Sequence, residues 1–383
     1  MPPLTLYIHL PWCVRKCPYC DFNSHALRDE LPEAAYVEAL ARDLDFACAS
    51  LDGERPIEAV FFGGGTPSLF SPDAIGRILE HAGKRLGFAE DVEITLEANP
   101  GTIEHGRFSD YRAAGVNRVS LGVQSFDEVQ LQTLGRIHDR RAAVAAAEEL
   151  HAAGIANFNL DLMFALPGQT VQGALADIEQ ALMLEPAHIS HYELTLEPNT
   201  LFAVRPPAGI PDEDQAADIA VACRARLAEA GFERYEISAF ARPGRRCRHN
   251  LNYWSYGDYL GIGAGAHGKL TLADGRILRS ARCRHPKDYL ERAGHAGAIV
   301  EQREVSPEER VFEYMLNRSR LVEGGSAADF SEYTGLEAGR LAPGLEKAEQ
   351  LGLVRREGDA WQPTPRGFEL LNELQALFLP AAP

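Results

Sequence analysis

The chain has 383 residues, 45% of them hydrophobic and 24% charged, with a net charge of −17 from 55 acidic and 38 basic side chains. That length predicts one large domain plus a smaller one, and the acidic field disfavours nonspecific binding to nucleic acid or anionic lipid. No apolar run approaches the roughly 20 residues of a membrane-spanning helix, and the first ten residues lack the features of a secretory signal, so a cytoplasmic location is expected.

Strand-like runs are expected at 4–10, 59–62, 92–96, 118–123, 157–164 and 189–194. Helix-like segments lie between them, at 33–51, 72–86, 104–114, 141–153 and 171–184. Ser71-Pro72-Asp73 opens one of these helices, and Gly115 and Gly154 close two others. Six β/α units in succession predict a parallel sheet covered by helices, either open or rolled into a barrel. A weaker βα-like region continues to about residue 300, after a proline-rich linker at 206–211 and a helix at 212–230. From Ser306 onward helices precede a short β-like pair at 351–354 and 360–362, which suggests a winged-helix-like domain over 306–383. That segment carries 8 basic and 13 acidic side chains, so DNA contact is not expected there.

Seven cysteines are too few for a disulfide scaffold, and three of them crowd into the loop after the first strand. The run Tyr7-Ile-His-Leu-Pro-Trp-Cys13-Val-Arg-Lys-Cys17-Pro-Tyr-Cys20 spaces Cys13, Cys17 and Cys20 as C-x3-C-x2-C. Three thiolates at this spacing suit a cubane with one iron left open. A zinc site would need a fourth ligand, for which Asp21 or His25 is available. Cys48 and Cys223 lie in apolar helical stretches and read as core, Cys283 has no ligand companion, and His25, His81 and His105 read as surface residues.

Gly63-Gly64-Gly65-Thr66-Pro67 follows the second strand, where glycines let the backbone approach a ligand. Polar residues then recur at strand ends: Glu97, Gln124, Asp161 and Thr195. In β/α barrels these ends converge on one mouth, and a carboxylate and an amide there suit a nucleoside. Arg136 can pair with a carboxylate.

The cysteine motif resembles that of the radical S-adenosylmethionine (SAM) superfamily, which implies a partial (β/α)6 barrel of the α/β class. In that superfamily a 4Fe–4S cluster binds SAM through its open iron and cleaves it to a 5′-deoxyadenosyl radical. Further motifs narrow the resemblance to the coproporphyrinogen III oxidase-like branch: Phe62-Gly-Gly-Gly-Thr-Pro-Ser68, Glu97-Ala-Asn-Pro100, Gly122-Val-Gln-Ser-Phe126, Gly135-Arg-Ile-His138, Asn159-Leu-Asp-Leu-Met163 and Leu166-Pro-Gly-Gln-Thr170. By that resemblance Tyr7, Gly64, Gly65, Thr66, Glu97, Gln124, Arg136 and Asp161 would contact SAM. Thr195 and Ala266, in Gly261-Ile-Gly-Ala-Gly-Ala266, would be looser contacts.

The true dehydrogenases of the branch carry a fourth cysteine two residues after the third, where this chain has Phe22, and a longer N-terminal segment. The chain is more similar to the HemW-type heme chaperones, through His249-Asn250-Leu251-Asn252-Tyr253-Trp254. An imidazole can ligate heme iron, and aromatic rings can cover a porphyrin. His249 is therefore the expected heme residue, with Arg245, Arg246 and Arg248 as cations for propionates and Cys247 as a further thiolate. The plain alternative is a loop whose Tyr253 and Trp254 pack on the barrel. The resemblance implies a 4Fe–4S cluster, SAM and heme as cofactors, and apo-hemoproteins such as respiratory enzymes as recipients. It leaves room for a transient membrane-protein partner and a homodimer. Domains are expected at 1–205 (core barrel), 206–305 (extension with the HNxxYW motif) and 306–383.

Overall fold

In the computed structural model, which describes residues 1–49, 51, 53–101 and 107–380, strand β1 (Leu4–Leu10) runs inside a twelve-stranded sheet. Its residues alternate between faces. Leu4, Leu6, Ile8 and Leu10 join a core with Tyr36, Leu40, Ile75 and Ile78 of the outer helices. Thr5, Tyr7 and His9 therefore face the opposite side. Strands β2 (Ile57–Gly64), β3 (Phe88–Ala98), β4 (Arg118–Gln124), β5 (Phe158–Phe164) and β6 (His188–Glu193) follow in spatial order, each parallel to the one before. Helices Glu33–Cys48, Pro72–Leu86, Arg107–Ala113, Arg140–Ala152 and Val171–Met183 connect them. Three of these begin with side-chain caps, Ser71, Asp139 and Thr170, which satisfy amide groups of the first turn. Residues 50 and 104–106 of the expected helices, with His105, lie outside the described residues.

The six expected units are present as an open, mostly parallel α/β sheet curved into a partial barrel. A seventh parallel strand, β7 (Asp258–Ile262), pairs with the free edge of β1. The expected βα-like continuation is otherwise antiparallel. Strands Ala239–Ala241 and Glu233–Arg234 extend β6, while His267–Thr271, Ile277–Arg282 and Ile299–Glu304 extend β7. The reason is local. Asp274-Gly275, with Gly275 at φ +82°, turns the chain back on itself, so two strands pair directly without a crossover helix.

The C-terminal residues form helices Pro307–Arg318, Ala327–Thr334 and Ala342–Gln350. Strands Val354–Glu357 and Ala360–Pro363 then form a wing that also pairs with Gly325–Ser326. Tyr314, Met315, Phe330, Trp361 and Leu374 fill a separate core, which also includes Tyr256 and Ile277 of the preceding region. No helix among the described residues is long and apolar enough to cross a membrane.

Candidate cluster and cofactor site

The cysteine loop leaves β1 at the carboxyl end of the sheet and is tied down by backbone bonds. His25 N–H donates to Pro11 O at 2.7 Å, Leu27 N–H to Cys13 O at 2.8 Å and Cys20 N–H to Cys17 O at 3.2 Å. The glycine loop packs directly onto it, with Gly65 N–H donating to Leu10 O and Thr66 N–H to Trp12 O at 2.9 and 2.7 Å. A Cβ on Gly65 would sit 2.5 Å from Trp12 O, and one on Gly64 would sit 2.4 Å from the His9 ring. Glycine is thus required by close backbone approach.

Cys13, Cys17 and Cys20 line one cavity of about 330 Å³ together with Gly64, Gly65, Thr66, Glu97, Gln124, Arg136 and Asp161. Among the described residues no three Cys, His, Asp or Glu side chains gather as ligands of a single metal ion. Mononuclear zinc needs such a gathering, whereas a cubane takes one thiolate on each of three separate irons. The donor set and its spacing therefore suit a cluster.

The electrostatics of the cavity follow from burial. Glu97 accepts from Gly64 N–H at 3.2 Å. Desolvation, then the nearby Asp161, push its carboxyl up to about 8. Asp161 is likewise raised by burial, although Ser120 Oγ and Asn159 Nδ2 donate to it at 3.0 and 2.8 Å. Arg136 donates to Gly122 O at 2.6 Å, to Asn99 Oδ1, and to Cys17 Sγ at 3.6 Å. A fixed cation thus stands beside the Cys17 thiol. Gln124, at the last position of β4, has φ +70°, a strained conformation for a residue with a side chain.

Three expected contacts stand apart. Tyr7 lines a neighbouring cleft instead. Thr195 is exposed and donates to Glu197 Oε1 at 2.8 Å, and Ala266 is buried beside the turn after β7; neither lines the cavity. Asn99, Ser120, Met163 and Tyr192, which do line it, were not singled out from the sequence. Their signal was period-2 alternation. Asn99 follows Glu97 by two, Ser120 and Gly122 precede Gln124 on one face, and Met163 follows Asp161 by two.

The chain is 50% identical over 380 residues to the Heme chaperone HemW of Escherichia coli strain K12, covering 99% of both chains. It belongs to the HemW family of radical SAM proteins. With the Heme chaperone HemW of Haemophilus influenzae it shares 47% over 382 residues, covering 99% of this chain and 98% of that one. The Radical SAM superfamily model matches residues 7–181, and the HemN C-terminal domain model matches residues 305–370. The solved coproporphyrinogen III oxidase (HemN) of Escherichia coli has the same fold, with a TM-score of 0.82 at 23% identity over 98% of this chain and 90% of that one. Membership in the radical SAM superfamily implies a 4Fe–4S cluster and SAM, and the residues around the first cavity fit both.

The HNxxYW motif of the HemW resemblance is a helix, Arg248–Trp254, rather than a loop. Its N-terminus lies against the barrel interior. Glu93 of β3 accepts from Arg248 N–H at 2.9 Å and His249 N–H at 3.4 Å, a carboxylate on the positive end of the helix. This places His249 in a cleft of about 800 Å³ that shares Phe22, Gly64, Glu97 and Tyr192 with the cluster cavity. The imidazole is 8% exposed and packs on Phe61 at 5.0 Å, and its buried Nδ1 has no hydrogen-bond partner among the described residues. Burial, then the charge of Arg118, hold it down at about 3, so it is neutral.

Two expectations about heme contacts are corrected. Cys247 is buried, donates to Glu93 Oε1 at 3.6 Å and is pushed up to about 12 by burial, so it offers no thiolate to the cleft. Arg245, Arg246 and Arg248 do not line the cleft. Acidic residues draw two of them away: Arg246 pairs with Glu323 at 3.0 Å and Glu233 at 3.8 Å, and Arg248 with Asp91 at 2.9 Å and Glu58 at 3.9 Å. The cation on the cleft wall is instead exposed Arg284, alongside Arg282, which is committed to Asp43 at 2.9 Å. Among the residues read as bland, Cys223 and Cys283 are buried, His81 pairs with Asp45, and His25 is half-buried with its ring edge-on to His285 at 5.7 Å.

Proposed function

We propose that this protein is a heme chaperone, which binds heme in the second cleft and hands it to apo-hemoproteins such as respiratory enzymes. One observation carries the reading: a cleft of cofactor size, walled by neutral His249 with Tyr7, Phe61, Tyr253 and Trp254, opens directly beside the cluster cavity. Neutral imidazole is the form that ligates heme iron, and aromatic rings match a porphyrin face. The names of the HemW relatives support the same assignment.

Cys13, Cys17 and Cys20 would hold the cluster. Gly64, Gly65, Thr66, Glu97, Gln124, Arg136 and Asp161 would hold SAM, with Tyr7 at the border of both sites. Bound SAM supplies a source of the 5′-deoxyadenosyl radical. The chain's own residues exclude water, fix the cysteine loop and keep Glu97 protonated until a ligand enters. The proposal includes the division at 205/206 and 305/306, a transient membrane-protein partner, homodimer formation and residence in the cytoplasm.

The test is anaerobic titration of reconstituted protein with heme, followed by incubation with SAM, reductant and coproporphyrinogen III. One heme per chain, lost or at least tenfold weaker in His249→Ala, is expected, with no protoporphyrinogen formed. Product formation would replace the chaperone reading with the dehydrogenase one, and unchanged heme binding in His249→Ala would remove that residue from the site.

A further inference from the structure

A separate cavity of about 520 Å³ lies at the seam between the barrel and the C-terminal wing. Its wall takes Arg224 from helix Glu213–Glu229, Arg234 from strand Glu233–Arg234 and Arg355 from strand Val354–Glu357. Apart from exposed Glu369 on the wall, the nearby acidic residues are committed elsewhere. Arg226 pairs with Glu179, Arg246 with Glu233 and Glu323, Arg320 with Glu236, and Arg356 with Glu349. Among the described residues, Arg224, Arg234 and Arg355 have no ion-pair partner. In a chain of net charge −17, three guanidinium groups share one concave wall with a single carboxylate, Glu369, an excess of positive charge that an anion would relieve.

Arg234 is pre-positioned for such a role. Its Nε donates to Glu236 O at 3.0 Å and its Nη2 to Ile237 O at 2.8 Å, while the guanidinium lies over the Phe368 ring at 4.9 Å. Among the described residues Nη1 makes no hydrogen bond. Burial and the charge of Arg224 lower its proton affinity to about 10, still fully charged at neutral pH. Glu369 is the one carboxylate on the wall, and it is exposed.

We infer that this cavity is a binding site for a phosphorylated small molecule. A carboxylate offers two oxygens and a single charge, enough for one guanidinium fork. A phosphoryl group offers three acceptor oxygens and about −1.5 to −2 charges, enough to take guanidinium donors from three separate elements. The volume exceeds what a bare phosphate fills, and Val322, Pro363 and Phe368 give an apolar wall for the rest of the molecule. The ligand would bridge the barrel to the wing, because its contacts come from both. The phosphoryl group could belong to a soluble molecule or to a lipid headgroup.

The experiment uses full-length holoprotein loaded with SAM, so that the first cavity is filled, at constant ionic strength. Inorganic pyrophosphate is titrated by calorimetry, and phosphatidic acid vesicles are tested by sedimentation. Saturable binding of one pyrophosphate per chain, weakened roughly tenfold or more in Arg224→Gln and in Arg355→Gln, is the expected result and marks a soluble ligand. Arginine-dependent binding confined to vesicles marks a lipid headgroup. Arg340→Gln, which removes an exposed ion pair with Glu308 far along the wing sequence, should change nothing. Arg355 is exposed, so its variant remains folded and informative even where Arg224→Gln or Arg234→Gln does not. Equal affinity in wild type and in both Arg224→Gln and Arg355→Gln, or binding in neither arm, overturns the inference. No heme is present, so the outcome is independent of the chaperone reading.

Discussion

The ring of Tyr7 lies against the imidazole of His249 at 6.1 Å, with 30° between their planes. The same tyrosine reaches the cysteine loop through His9. His9 Nε2 lies 2.9 Å from the carbonyl of Asn23, which can only accept, so Nε2 carries the proton and Nδ1 accepts from Tyr7 Oη at 3.0 Å. The two cavities therefore share one bonded and stacked wall. Tyr7→Phe keeps the ring and loses the hydroxyl, and heme affinity should stay within about twofold of wild type. Tyr7→Ala also removes the stacking surface, worth roughly 0.5–1.5 kcal/mol, and should weaken heme several-fold. Equal loss in both variants would show that the hydroxyl, not the ring, supports His249.

At the cluster, Cys17→Ser should abolish iron and sulfide incorporation, while Cys48→Ser leaves both intact. Arg136 offers a finer test, because its Nη1 lies 3.6 Å from Cys17 Sγ. A cation beside a cluster ligand favours the reduced, more negative state. Arg136→Gln should move the midpoint potential in the negative direction, by tens of millivolts for a charge interaction of about 1 kcal/mol. A redox titration followed by electron paramagnetic resonance reads this. An unmoved or more positive midpoint would refute it.

Much of this arrangement was legible in the sequence, because local rules governed it. Leu4–Leu10 alternates, Ser71-Pro72 opens a helix, and the cysteine spacing is short enough to fix a loop. Less legible were features set by distant partners. Nothing near Cys247 in the sequence announces Glu93, which caps the motif helix and turns that thiol away from the cleft. Arg246 and Arg248 looked available until Glu323 and Asp91 arrived from other parts of the chain. The antiparallel edge was misread although Asp274-Gly275 marked it, since the weak apolar pattern beside it also fits βα units.

Glu97 makes ligand entry visible as a proton count. Its carboxyl is held near 8, so at pH 7 it is about 90% protonated. Hydroxyl donors or a cationic group of SAM favour the ionised form. Binding at pH 7 should therefore release up to about 0.9 proton, and close to none at pH 9. Calorimetry in buffers of different ionisation enthalpy measures this, and Glu97→Gln should release none at either pH. Net proton uptake would place the ligand's polar groups away from Glu97.

Buried histidines predict acid sensitivity. His9 and His138 are held at about 4, and His191 and His249 at about 3, chiefly by desolvation. The unfolded chain protonates them near 6.5, so below that value it binds more protons than the native state. Their contribution is fully present above about pH 6.5 and is lost as pH falls toward 3–4, at about 1.4 kcal/mol per pH unit per group. Urea unfolding at pH 7, 6 and 5 should show stability dropping with pH. His191→Phe, which keeps a ring against Phe164, should reduce the slope by about one proton's worth. An unchanged slope would mean that His191 is already charged in the native state.

The C-terminal domain also reaches the cleft that His249 lines, through the motif helix. The guanidinium of Arg320 lies over the Trp254 ring at 4.3 Å, and Arg318 Nη1 donates to Ser255 Oγ at 2.7 Å. Trp254 ends the helix that carries His249, so these two arginines hold the far end while Glu93 holds the start. A cation–π contact of this kind contributes about 0.5–2 kcal/mol, depending on its desolvation. Arg320→Ala should weaken heme by roughly threefold to tenfold, through helix placement and without touching iron or sulfide content. Arg320→Lys keeps a cation over the indole and should restore part of the loss. A variant that binds heme normally, or that loses the cluster as well, would show that the domain does not position this helix for heme.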